Sequence, residues 1–153
     1  MLIPRVLIFL RRGESVLLLK GAATKRLWAG KYNGVGGHVE RGEDVLSAAR
    51  RELLEETGLR ADLELAGTVL VDAEEKIGVG IYVFTGFCGT EDPIPSGEGN
   101  LEWHKLSELK NLPLVEDVAV LLDHILNMKE GDAPFAARSF YDGNGKLMVK
   151  FAR

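Results

Sequence analysis

Residues 6–10 are apolar without interruption. A polar break with one glycine, residues 11–15, separates them from a second apolar run at 16–19. The two runs and the break predict two strands joined by a hairpin turn. Residues 24–31 are mixed and basic and read as a loop. The stretch Asn33-Gly34-Val35-Gly36-Gly37 fits neither a helix nor a regular strand, because its glycines admit unusual backbone angles and close approach of a ligand. Residues 43–57 carry the clearest helical pattern, with Leu46, Ala49 and Leu53 forming an apolar stripe and Gly58 as the C-terminal cap. Strands are expected around 63–71 and 78–86, a loop over 91–100, and a short strand over 101–104. Val118, Leu121, Leu122 and Ile125 predict a second helix within 114–128. Two extended runs, Phe135–Tyr141 and Leu147–Phe151, flank Asp142-Gly143-Asn144-Gly145 and predict a closing hairpin.

Composition narrows the class. At 153 residues with no repeat, low-complexity tract or linker, the chain reads as one domain over 1–153. Hydrophobic residues make up 46%, enough for a core, which argues against disorder. The net charge of -4 argues against a nucleic acid polymer as partner. The single cysteine, Cys88, excludes an intrachain disulfide and a cysteine-based zinc site. No apolar run approaches the ~18–20 residues of a membrane span, and no signal peptide is indicated, so a cytoplasmic protein is expected.

The first helix breaks a local rule. Glu52, Glu55 and Glu56 lie at i, i+3 and i+4, share one face, and sit in the last turns, where the helix dipole disfavours anions. Arg50 and Arg51 are the nearby cations of that helix. Two readings follow: a solvated acidic face, or three hard oxygen ligands for Mg2+ or Mn2+.

The wider spacing separates these readings. Gly37, Glu43, Arg51, Glu52, Glu55, Glu56 and Gly58, with apolar Leu53 and Leu59, fall in the order and spacing of the Nudix box. The chain thus resembles the Nudix hydrolases, over about 23 residues of motif and in the order of its flanking elements. The resemblance implies an α/β Nudix fold, a mixed β-sheet sandwiched between α-helices. It implies metal-dependent hydrolysis of a nucleoside diphosphate linked to another group. Glu52, Glu55 and Glu56 would be ligands, with Glu52 the leading base candidate and Glu56 the firmest ligand. A backbone carbonyl at Gly36 would complete the metal site, and Arg51 would orient it by pairing with Glu43 or Glu52. Glu98, five residues before Trp103, matches a metal-linked or base glutamate of MutT-type relatives. Glu102 is the reserve, and a plain loop acid is the alternative. The base assignment stays open among Glu52, Glu55, Glu56 and Glu98.

The flanks bear on substrate. The stretch Lys31-Tyr32-Asn33-Gly34-Val35-Gly36-Gly37-His38-Val39 is similar to the lead-in of MutT-type enzymes that cleave oxidised purine nucleoside triphosphates. Asn33 would touch the base, against the alternative of an Asn-Gly turn. Glu116 and Asp117 match acidic base-pocket residues, against the alternative of ordinary N-terminal helix charge. Leu114 stands where those relatives carry an aromatic residue, Tyr32 where tryptophan is common and His38 where lysine is common. Lys20, at a strand end, is a phosphate-binding candidate or a surface lysine. The expected partner is a small nucleotide, bound by a monomer or homodimer. The leading activity is triphosphate pyrophosphohydrolysis. The competitors are hydrolysis of ADP-ribose or another derivative, and a non-catalytic nucleotide sensor.

Overall fold

The computed structural model describes residues 1–21, 29–94, 97 and 99–152. Strands β1 (Leu2–Arg12) and β2 (Ser15–Gly21) form the expected hairpin, turning at Gly13 with φ 57°. Two short strands, β3 (Tyr32–Asn33) and β4 (Val35–His38), lead into helix α1 (Val45–Thr57). Then come β5 (Glu64–Glu74), β6 (Ile77–Phe87), β7 (Gly99–Lys105) and a 3₁₀ turn at Leu106–Asn111. Helix α2 (Glu116–Leu126) and the hairpin of β8 (Phe135–Tyr141) and β9 (Leu147–Phe151) complete the chain. No helix among the described residues is long and apolar enough to cross a membrane.

The sheet is mixed. Its main path runs β3-β2-β1-β6-β5-β8-β9, while β4 pairs with β1 and β7 pairs with β2. The β1–β6 and β5–β8 pairs are parallel, and all others are antiparallel. The unbroken apolar runs of β1 and β2 follow from burial on both faces. Leu7, Phe9, Val16 and Leu18 join the core with α2 residues Val118, Leu121 and Leu122. Val6, Ile8, Leu10 and Leu17 join Ala48, Ala49 and Leu53 of α1 on the opposite face.

Three expectations change. The glycine-rich stretch at 33–37 is strand on both sides of Gly34, because the absent side chains let β4 press against β1. A Cβ on Gly36 would overlap the Val6 carbonyl. Helix α1 begins at Val45 rather than Glu43, since Asp44 caps it by accepting from Ser47 N at 2.8 Å. The loop expected over 91–100 ends earlier, with β7 already paired to β2 at Gly99. Gly58 caps α1 as expected, with φ 72° and its N–H donating to the Leu54 carbonyl. Residues 24–28 of the expected basic loop lie outside the described residues.

Candidate active site

Helix α1 presents the box side chains toward β4. Arg51 is the hub of that face. Its Nε and Nη2 donate to both Glu43 carboxylate oxygens at 2.7 and 2.8 Å, a two-pronged contact. Its Nη1 donates to Glu52 at 2.9 Å and Glu55 at 3.2 Å, and Nη2 donates to the His38 carbonyl at 3.1 Å. Glu40 adds an ion pair at 3.7 Å. The hydrogen bonds to Glu43, ahead of those to Glu52, hold the guanidinium charged far beyond ordinary pH. The same contact holds the Glu43 carboxyl below the usual carboxylate range. Sequence spacing offered Glu43 or Glu52 as the Arg51 partner; both are used. Arg51 therefore relieves part of the repulsion among the helix carboxylates.

Glu52 is 13% exposed and lies against the backbone of β4. A Cβ on Gly37 would overlap its carboxylate. The glycine is thus what admits Glu52 to the strand, one residue from the Gly36 carbonyl. Glu55 is 60% exposed and faces outward.

A cavity of about 610 Å³ opens beside β4. Gly36 and Glu56 line one end, and Asn33 and Asp117 also line it. Val71, Val79, Ile81, Val115 and Val118 supply apolar wall. Asn33 Oδ1 accepts from the Gly34 N–H at 2.7 Å, at the end of β3 and not in a turn, and among the described residues no protein acceptor takes its amide NH2. Burial, opposed by its backbone hydrogen bonds, pushes the Asp117 carboxyl up. The aliphatic wall was not singled out from the sequence; the alternation along β5 and β6 was its available signal.

Other candidates stand apart. Glu116 is exposed and Lys20 does not line the cavity; the Lys20 ammonium sits 5.7 Å from the Tyr32 ring. Glu102 accepts from the Tyr32 hydroxyl at 3.0 Å and lies 3.1 Å from His104 Nε2, a structural cluster away from the box. Glu98 lies outside the described residues.

The donor set suits a hard divalent cation: carboxylates of Glu52 and Glu56, one turn apart on α1, and the Gly36 carbonyl of β4. Among the described residues no three His, Cys, Asp or Glu side chains form a ready cage. The cradle is instead the Gly37 gap that holds Glu52 beside the β4 backbone.

The chain matches the NUDIX domain family over residues 1–125. It is similar to the mouse oxidized purine nucleoside triphosphate hydrolase, 32% identical over 128 residues, 81% of this chain and 80% of that protein. The zebrafish protein of that name is 35% identical over 96 residues, 60% of each chain. The Pseudomonas aeruginosa NAD-capped RNA hydrolase NudC is 31% identical over 135 residues, 85% of this chain and 46% of that one. Among solved structures, the Bacillus halodurans MutT protein superposes with TM-score 0.81 at 23% identity, covering 97% of both chains. The Nudix domain of Shewanella oneidensis NrtR, complexed with ADP ribose, gives 0.70 at 17% identity, covering 80% of this chain and 85% of that one. The box geometry and the family match agree, and the chain belongs to the Nudix hydrolase family.

Proposed function

We propose that this protein is a Mg2+- or Mn2+-dependent pyrophosphohydrolase of nucleoside triphosphates, with oxidised purine nucleotides such as 8-oxo-dGTP as preferred substrates. One observation carries the reading. A single cavity joins the Gly36–Glu56 end, suited to phosphate chemistry, with Asn33 and Asp117, suited to a purine edge. The similarity to the mouse hydrolase supports the same substrate class.

Water attacks an internal phosphorus, its proton passes to a carboxylate, and the anhydride P–O bond breaks. The products are a nucleoside monophosphate and pyrophosphate. In this reading Glu52 is the proton acceptor. Arg51 holds one of its oxygens at 2.9 Å and the Gly37 gap holds the group in position. Glu56 and the Gly36 carbonyl would hold the metal, with Glu55 and Glu98 as further candidate ligands. The metal supplies charge neutralisation on the phosphoryl oxygens. Asn33 and Asp117 orient the base between the aliphatic walls.

Initial rates with Mg2+ test the reading. The substrates are 8-oxo-dGTP, ordinary dNTPs, ADP-ribose and diadenosine tetraphosphate, with products separated as mono- or diphosphate. The expected result is a kcat/KM preference of at least about tenfold for 8-oxo-dGTP over dGTP, ~1.4 kcal/mol, with monophosphate and pyrophosphate released. A flat triphosphate profile, or turnover of ADP-ribose alone, overturns the substrate assignment. Binding without metal-dependent turnover would make the chain a sensor.

A further inference from the structure

Strand β3 consists of Tyr32 and Asn33 alone, yet it carries one of the polar groups of the cavity. Strand alternation sends these two neighbouring side chains to opposite faces. Asn33 lines the cavity together with its β2 partner Leu19, whereas Tyr32 lies outside it, paired with Lys20. So short a pairing opens easily by itself, and the placement of Asn33 depends on the other contacts of Tyr32.

The main chain of Tyr32 joins two walls of the cavity. Its N–H donates to the Pro113 carbonyl at 2.8 Å, and its carbonyl accepts from the Val115 N–H at 2.9 Å. These bonds set it parallel to Leu114. Val115 is itself a cavity residue and caps α2, whose first turn brings Asp117 and Val118 to the same cavity. Tyr32 is thus the joint between Asn33 and Asp117, which are far apart in the chain.

The side chain locks this joint from behind. Tyr32 is 6% exposed. Its hydroxyl donates to Glu102 Oε1 at 3.0 Å, and its ring meets the His104 ring edge to face with centroids 4.8 Å apart. His104 Nε2 lies 3.1 Å from the same Glu102 oxygen. Both residues belong to β7, which is paired with β2 along its whole length. Burial, ahead of the Glu102 contact, pushes the phenol pKa up, so the hydroxyl stays a donor. A phenylalanine would fill the core here equally well. The hydroxyl adds a directional bond that fixes the ring, and through it the backbone, in one position.

We infer that Tyr32 is a positioning residue for base recognition: anchored on β7 by Glu102 and His104, it holds Asn33 and the Asp117 end of α2 at a fixed separation. The inference rests on the nucleotide reading above. The test compares the wild type with Tyr32→Phe, Glu102→Ala and the double variant on 8-oxo-dGTP and dGTP. Tyr32→Phe should raise KM for 8-oxo-dGTP about fivefold, with kcat within about twofold, and lower the preference over dGTP by a similar factor. Glu102→Ala should act in the same direction. The double variant should be no worse than the more affected single one, because all three lack the same bond. Affinity for pyrophosphate with Mg2+, which has no base, should not move. An unchanged base preference despite a lower Tm, additive losses in the double variant, or an equal loss of pyrophosphate affinity overturns the inference. Amide signals in NMR separate it from the activity. In Tyr32→Phe the Val115 N–H should exchange faster with solvent and the Asn33 side-chain amide should shift. If the wild type cleaves no triphosphate or shows no base preference, the function reading fails. Altered Val115 and Asn33 signals then still uphold Tyr32, and unaltered signals reject it.

Discussion

The box cluster around Arg51 and the cavity beside β4 are built differently. At the box end, charges are numerous and tied together: Arg51 engages Glu43, Glu52, Glu55, Glu40 and the His38 carbonyl, all between His38 and Glu55 in the chain. At the base end, two polar groups, Asn33 and Asp117, stand among aliphatic walls drawn from β5, β6 and the start of α2. The contrast follows from the tasks. Charge chemistry needs carboxylates held to within fractions of an ångström by fixed partners. Base selection needs shape and a few directional groups, and residues distant in sequence can supply them.

The paired glycines of β4 give the sharpest way to break the box end. Glu56→Gln should lower kcat/KM by about a thousandfold, ~4 kcal/mol of transition-state stabilisation, with little change in Tm. Gly37→Ala should come close to it. The new methyl meets only the far end of the Glu52 side chain, so the fold survives while the carboxylate is displaced, and kcat should drop about a hundredfold. Gly36→Ala differs in kind, because its methyl meets the Val6 backbone; thermal unfolding should show the loss as stability first. Equal Tm values for the two alanine variants would contradict this division.

Arg51→Lys keeps the charge and removes the fork. It should cost roughly tenfold to a hundredfold in kcat, with Tm several degrees lower, as Glu43 and Glu52 lose shared donors. A near-normal rate would show that Glu52 does not need Arg51 to be placed.

The smallest effects belong to the base end. Asp117→Asn should reduce discrimination between purines by about tenfold while leaving kcat on the best substrate nearly intact. It also has a pH signature. Burial raises the Asp117 pKa, so the folded state favours the protonated form. Its charge then lowers stability as pH rises from the ordinary value of 3.8 through the raised folded value. Asp117→Asn should raise Tm near neutral pH, and the gain should vanish below that ordinary value. A gain that is independent of pH would locate the effect elsewhere.

The same contrast explains what was legible in the sequence. The box was readable because its partners are near in sequence: Glu52 and Arg51 sit on one helix, and Glu43 lies two residues before it. The helix cap at Gly58 and both hairpins were legible from turn chemistry for the same reason. The strand character of 35–38 was not, since it depends on Val6 and Leu7 lying against glycines about thirty residues away. Nor were Val71, Val79 and Ile81 recognisable as a ligand wall, because that role arises only when the β1–β6 and β5–β6 registers set them across β1 from β4. Lys20 and Glu116 carried suitable charge, yet the fold turns them away from the cavity.

The parallel union of β1 with β6 has a consequence for how the molecule comes into being. Leu2 pairs with Gly78 and Arg11 with Phe87. During synthesis from the N-terminus, β1 has no β6 beside it until more than half of the chain has been made. Such distant pairing carries a large loop-closure cost and slows folding. Helix α1 can coil early from local preference, but β4, the surface against which Glu52 is set, gains its support from β1 only within the assembled sheet. Catalytic competence should therefore emerge late and all at once, and refolding from denaturant should restore activity together with native sheet signal rather than with early helix.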